Sequence, residues 1–169
     1  EKNVDYIFYP CMPYNFDEGI SDNHYNCPVV AYYPELLAAN VPGLKKVKFL
    51  YPYMGLHRRK DFKNKAVKYF SKEMNMSVAS IGFAVELAYR AYEKWHKNIA
   101  ATGERMIEEA RTKGNRILVL CGRPYHIDPE ISHGIDELCA EYGFVIISED
   151  AISDKMKWQK RTVLNQWTY

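Results

Sequence analysis

At 169 residues the chain is long enough for one domain or two small lobes, and 47% hydrophobic against 26% charged residues is the balance of a globular protein with a real core. The formal net charge is +2, with Lys and Arg spread along the chain, which excludes the basic stripe of a nucleic-acid binder. An apolar run of about 18 residues is absent, which excludes a helical membrane span.

Val4–Tyr9 reads as a first strand, stopped by Pro10. Residues 10–27 are rich in Asn, Asp, Pro and Gly and read as a long loop. Pro28–Tyr32 is predicted as a second, buried strand, and Pro34-Glu35 as the start of a short helix ending near Asn40. Val47–Leu50 is a third short strand, stopped by Pro52.

Residues 60–74 are predicted helical and basic, with Phe62, Ala66, Tyr69 and Phe70 as the apolar stripe. The strongest helical pattern follows. Ile81, Val85, Ala88, Tyr92, Trp95 and Ile99 are spaced by 4, 3, 4, 3 and 4, and Met106 and Ala110 continue the face. Ser77 is the expected N-cap, and Gly82 and Gly103 are weak points that leave open one helix or a bent pair. Such a stripe suits a coiled-coil dimer seam, or an internal helix packed on a sheet; the short heptad run favours the second.

Arg116–Cys121 is a continuous apolar run, as in a parallel strand covered on both faces. Asp128-Pro129-Glu130 starts a helix over 129–142, with Ile131, Ile135, Leu138, Cys139 and Tyr142 as its inner face and Gly143 as its stop. Phe144–Ile147 is the next strand. The expected fold class is therefore α/β: a Rossmann-like parallel sheet with flanking helices and one long central helix or bent helix pair. The expected division is an N-terminal α/β lobe over 1–75, a connecting helix over 76–114 and a βαβ lobe over 115–169. Both ends are abrupt, as in a piece of a larger protein. With no signal peptide at its start, a cytoplasmic location is expected.

In open parallel sheets, ligands bind beyond the carboxyl ends of the strands. Gly122, Arg123, Tyr125, His126 and Asp128 follow one strand, and Glu149 and Asp150 follow its neighbour. A helix N-terminus, an Arg and a His together suit an anion such as a phosphate or carboxylate. Alternatively, Arg123 pairs with Asp128 or Glu149 and His126 braces the helix start. The loop matches no nucleotide-binding fingerprint. His133 reads as a surface or core-edge residue within its helix, and His96 as exposed.

Four cysteines without CxxC spacing argue against a zinc ribbon and a disulfide framework, so reduced thiols are expected. Cys121 and Cys139 read as packing residues. Cys11 and Cys27 lie in loops and are of the soft-ligand type that an iron–sulfur cluster needs, but two thiols make half a site. From spacing alone, two unrelated cysteines are the simpler reading. Cys27 before a strand would also sit at the opposite edge from Cys11, unless the long loop folds back. The 14 tyrosines suit semi-buried surfaces: an interface, a cleft or a Tyr-rich core with wet edges.

The blocks Val4-Asp-Tyr-Ile-Phe-Tyr-Pro-Cys11, Asn23-His-Tyr-Asn-Cys-Pro28, Tyr33-Pro-Glu35, Gly122-Arg-Pro-Tyr-His-Ile-Asp-Pro129 through His133-Gly134, and Ser148-Glu-Asp150, in that order, resemble one family. It comprises large proteins related to activators of (R)-2-hydroxyglutaryl-CoA dehydratase, also described as acyl-CoA dehydratase activase-related or CoA-substrate-specific enzyme activases. The resemblance covers residues 4 to about 152 and implies a region outside the ATPase domains. It implies ATP-driven, low-potential electron transfer in anaerobic acyl-CoA metabolism. It further implies an iron–sulfur cluster of the [4Fe-4S] type with Cys11 and Cys27 among its metal ligands, ATP bound only by actin-like ATPase domains of the same protein, and dehydratase-type subunits as partners.

The leading expectation is thus an accessory domain of an ATP-dependent activator/reductase system, inactive by itself. The alternatives are a non-catalytic interaction module docking ATPase or dehydratase subunits, and a small-molecule enzyme domain using Arg123, His126 and Glu149. Neither nucleic acid nor membrane is an expected partner.

Overall fold

The computed structural model describes residues 4–17, 24–122 and 124–155. They divide into two compact units, one within Glu1–Leu87 and one within Ala88–Lys157.

In the first unit, β1 (Tyr6–Phe8) pairs in parallel with β2 (Lys48–Leu50), Phe8 opposite Leu50. The connection between them carries helix α1 (Pro28–Asn40). The strand expected at Pro28–Tyr32 is therefore the first part of this helix. A short apolar run has no periodicity of its own, and Glu35-Leu-Leu-Ala-Ala39 are good helix formers that extend the helix backwards to Pro28 at the first turn. Pro34, expected to open the helix, sits inside it and is fully buried. Helix α2 (Arg59–Glu73) buries Ala66 and sets Phe70 5.2 Å from the ring of Phe8.

Helix α3 (Val78–Lys113) is one continuous helix of 36 residues. Ser77 caps it by accepting from the Ser80 N–H at 3.1 Å. Glu86 receives Arg59 at 2.5 Å and Lys63 at 3.2 Å, fastening α2 to the start of α3. The buried positions are Ile81, Gly82, Val85, Tyr89, Gly103 and Ala110, while Trp95 of the expected stripe is half exposed. A strict 3.5-residue spacing drifts around an ideal helix by about 20° per heptad, so one apolar stripe does not stay on one buried face over this length. His96, expected to be exposed, is half buried against Tyr92, with ring centroids 4.4 Å apart. Gly114, at φ +67°, ends the helix. Its N–H donates to the Arg111 carbonyl and that of Asn115 to the Ala110 carbonyl, a paired closure that favours glycine.

In the second unit, β3 (Arg116–Leu120) pairs in parallel with β4 (Phe144–Ser148), from Arg116 opposite Phe144 to Leu120 opposite Ser148. Ile147 is its buried centre. Among the described residues the two parallel pairs are separate two-stranded sheets. The mixed α/β class, the parallel pairing and the long helix are all present, and the parallel arrangement extends as far as each pair.

The helix expected over 129–142 is broken. Its parts are α4 (Pro129–Ser132) and α5 (Ile135–Glu141), separated by His133 and Gly134 at φ +51° and +75°. His133 therefore lies in a left-handed turn, outside any helix. Ile131, Ile135, Leu138 and Tyr142, expected to face the sheet, are 49%, 55%, 52% and 69% exposed. Gly143, at φ +79°, stops α5 where expected.

Candidate functional site

Beyond β1 the parallel ladder continues at Cys11, opposite Tyr53. The Cys11 N–H donates to the Pro52 carbonyl at 3.0 Å, and its carbonyl accepts from the Met54 N–H at 2.9 Å. Both backbone groups are thus paired, as burial demands, and Cys11 is 0% exposed. Burial pushes its thiol pKa up. The Glu35 backbone N–H opposes this, and the Glu35 carboxylate adds to the rise. Tyr53 donates its hydroxyl to the Glu35 carboxylate, which with burial pushes its pKa up to about 12. Tyr32, one turn before Glu35 on α1, sets its ring 6.2 Å from that of Tyr53. Cys11 thus faces a helix whose first residues follow Cys27.

The long loop does fold back. Tyr14 and Tyr25 form an antiparallel bridge. Asn15 N–H donates to the His24 carbonyl and Asn26 N–H to the Pro13 carbonyl, both at 2.9 Å, and the Asn26 side chain donates to the Met12 carbonyl at 2.7 Å. This ladder carries Cys27 back beside the segment that contains Cys11. Cys27 is half buried and stands at the N-cap of α1, so the opposite-edge difficulty expected for a residue preceding a strand does not arise. All four cysteines are free. Glu35, Tyr32 and Tyr53 are site residues that sequence reasoning missed as a group. Their signals were the excess of tyrosine and, for Glu35, its place in the Tyr33-Pro-Glu35 block.

The same loop packs a small aromatic cluster. The Tyr14 ring lies 4.8 Å from Tyr25 and 4.7 Å from His57. Hydrogen bonding to Tyr25 is the main cause raising the Tyr14 pKa. His57 rests on Gly55, where an added Cβ would sit 2.9 Å from its Nδ1. That nitrogen is buried without a hydrogen-bond partner among the described residues, and so is Nδ1 of His24. Burial first, then Arg58 and His24, push the His57 pKa down, with Asp61 opposing and Lys65 assisting. A base whose folded pKa is depressed binds protons more readily when unfolded. Its contribution is complete above its unfolded pKa, about 6.5, and is lost as pH falls through the lower folded value. Thermal unfolding followed from pH 7.5 to pH 5 should therefore show a falling melting temperature, and His57→Phe should flatten the dependence. An unchanged slope in the variant would remove His57 as its source.

In the second unit, the register brings the chain out of Leu120 and Ser148 at the same edge, so Cys121-Gly122 and Glu149-Asp150 leave the sheet together. Cys121, expected as packing, is exposed, while Cys139 is half buried. His126, in the 3₁₀ turn Pro124–Ile127 that also contains Tyr125, lays its ring directly over Gly122, leaving no room for a side chain there. Asp128 is committed to the helix start, accepting from the N–H groups of Glu130 at 2.9 Å and Ile131 at 3.3 Å. Glu149 and Asp150 lie in a 3₁₀ turn, half buried. Arg123 lies outside the described residues. An open cleft of about 370 Å³ lies at this end of the pair, lined by Leu120, Ile127, Ile146 and Ser148 with Asp136 and Glu137 of α5. Among the described residues, no group of three or more His, Cys, Asp or Glu side chains is arranged to hold a metal ion. No described helix is long and apolar enough to cross a membrane.

A family model described as a CoA enzyme activase uncharacterised domain matches residues 1–152. No curated protein and no solved structure matches the chain.

Proposed function

From its membership of the CoA enzyme activase uncharacterised domain family, we propose that the chain is the cysteine-bearing accessory domain of an ATP-dependent activator/reductase system for 2-hydroxyacyl-CoA dehydratase-type enzymes. The match spans residues 1–152 and so includes both the 10–27 loop and the 122–128 loop. In this reading ATP is hydrolysed by actin-like ATPase domains outside these residues, and the two parallel strand pairs belong to a Rossmann-like core. Dehydratase-type subunits receive the electrons.

The observation that carries the proposal is the fold-back of the long loop, which returns Cys27 to the neighbourhood of Cys11 at the carboxyl end of β1. Both residues are free and of the soft-donor type that iron–sulfur clusters use. They fit as a partial donor set. With no group of three described ligands, the remaining donors come from elsewhere in the protein or its partner. When bound, the cluster supplies one-electron chemistry at low potential. The chain's own part is to supply two cysteine side chains, one buried beside Glu35 of α1 and one at its N-cap, which would bind the cluster as thiolates. The 122–128 loop then binds an anionic group or a neighbouring domain.

Iron and acid-labile sulfide measured on anaerobically purified full-length protein test this. The expected result is stoichiometric iron in the wild type and its near-complete loss in Cys11→Ser and Cys27→Ser, with unchanged circular dichroism. Iron-free wild-type protein with full activity, or unchanged iron in the double variant, would overturn the proposal.

A further inference from the structure

The two cysteine-bearing segments of the first unit are clamped together by one residue. Tyr14 and Tyr25 stand opposite each other in an antiparallel bridge, with the Asn15 N–H on the His24 carbonyl and the Asn26 N–H on the Pro13 carbonyl. The next rung of such a ladder, Pro13 opposite Asn26, would ordinarily exchange two hydrogen bonds, one in each direction. Proline has no N–H, so only one of the two can form. The Asn26 side chain supplies a second donor in its place, giving its Nδ2–H to the Met12 carbonyl at 2.7 Å. Asn26 thus takes both carbonyls of Met12-Pro13, one with its backbone and one with its side chain.

Met12 follows Cys11, and Asn26 precedes Cys27. The Met12–Asn26 bond therefore ties the residue after one thiol to the residue before the other. The Cys11 side is held firmly. Its N–H and carbonyl are bonded to Pro52 and Met54, and the Tyr14 carbonyl accepts from the Leu56 N–H at 3.0 Å. Cys27 has fewer ties. It is the N-cap of α1, its side chain makes no cap hydrogen bond, and its carbonyl accepts the first helical bond, from the Ala31 N–H at 2.9 Å. The position of Cys27 relative to Cys11 is thus set by the Asn26 rung on one side and by the start of α1 on the other. The Met12–Asn26 bond is partly buried, so removing its donor leaves a carbonyl poorly paired.

We propose that Asn26 is the positioning residue of the Cys11/Cys27 pair. By holding the Met12 carbonyl it sets the separation at which the two sulfur atoms reach one thiophilic metal centre. Asn26 itself touches no metal and acts through Met12 and through its peptide link to Cys27. The proposal rests on the reading of both cysteines as donors to a shared centre. Groups that orient metal ligands from outside typically change metal affinity about 10–100-fold when removed.

The test titrates the full chain, reduced and free of oxygen, with cadmium ion alone, and follows the cadmium–thiolate absorption in the ultraviolet. Cys11→Ser with Cys27→Ser defines the part of the signal that belongs to the pair, since Cys121 and Cys139 are kept. All titrations are run where circular dichroism shows every variant folded. Asn26→Ala is expected to weaken cadmium binding by the pair about 10–100-fold. Asn26→Asp, which keeps the side-chain shape but has no donor, should weaken it too. Adding Pro13→Ala to Asn26→Ala returns a backbone N–H to the same rung and should recover most of the affinity. A role of Asn26 in general stability predicts no such recovery, because replacing proline by alanine loosens the unfolded chain. Wild-type affinity in both Asn26 variants, or no recovery on adding Pro13→Ala, would overturn the positioning role and leave the cysteine reading standing. Identical cadmium binding by the wild type and the double serine variant would overturn both.

Discussion

Gly103→Ala is expected to destabilise the second unit, although it places a better helix former inside α3. A methyl group there would lie 2.5 Å from the Ala151 Cβ and 2.8 Å from the Ala151 carbonyl oxygen. Neither atom belongs to a long side chain that can swing aside. Replacing a mid-helix glycine by alanine ordinarily gains about 1 kcal/mol. Overpacking against backbone costs about 1–3 kcal/mol and occasionally more. Because the clash is with backbone at 2.8 Å, sterics should win, with a net loss of up to about 2 kcal/mol, and Gly103→Val should lose more. At about 2–4 °C per kcal/mol for a chain of this size, the fall in melting temperature is readily measured.

Gly82 on the same helix is the internal control. Its added methyl would meet only the end of the Lys63 side chain, with Cε at 3.3 Å and Nζ at 3.8 Å. Gly82→Ala should therefore stabilise, by about 0.5–1 kcal/mol. If Gly103→Ala raised the melting temperature as much as Gly82→Ala, the close approach of α3 to residue 151 would be wrong.

Met54→Ala should show the largest loss in the first unit. Met54 is 1% exposed and is among the largest fully buried side chains. It follows Tyr53, the bridge partner of Cys11, and its N–H holds the Cys11 carbonyl. Truncating a buried methionine costs about 2–5 kcal/mol, because a cavity is added to the lost transfer energy. Met54→Leu keeps the volume and should cost less than about 1.5 kcal/mol. Denaturant midpoints measure both. A thiol reagent supplies a local readout, since Cys11 should pass from inert to reactive in the alanine variant and stay inert in the leucine variant. Equal midpoints for wild type and Met54→Ala would place Met54 outside the core.

Local signals read well wherever the backbone decides alone. Ser77 caps α3, Asp128 caps α4, and Gly143 ends α5 in the left-handed conformation. The βαβ pattern of the second unit also follows from the sequence, because a continuous apolar run, an intervening capped helix and a second run admit few other arrangements. The errors share one cause. Pro28–Tyr32 was ambiguous because five apolar residues look alike in a strand and in a helix, and only the residues after them, together with the packing of Ala31 and Pro34, decide. The break in the helix expected over 129–142 depended on two consecutive left-handed residues, one of them a histidine, for which periodicity has no signal.

The candidate sites divide in the same way. Amino-acid order alone determined which residues carry soft-donor or charged chemistry, where strands end, and which family the chain resembles, because side-chain type and hydrogen-bond capping act within a few residues. Tertiary structure alone decided that the 12–15 and 24–26 segments pair, that Tyr53 pairs beside Cys11 and donates to Glu35, and that Ile135 and Leu138 of α5 are exposed. Those outcomes depend on contacts between residues far apart in the chain, whose energies are settled only when the backbone has brought them together.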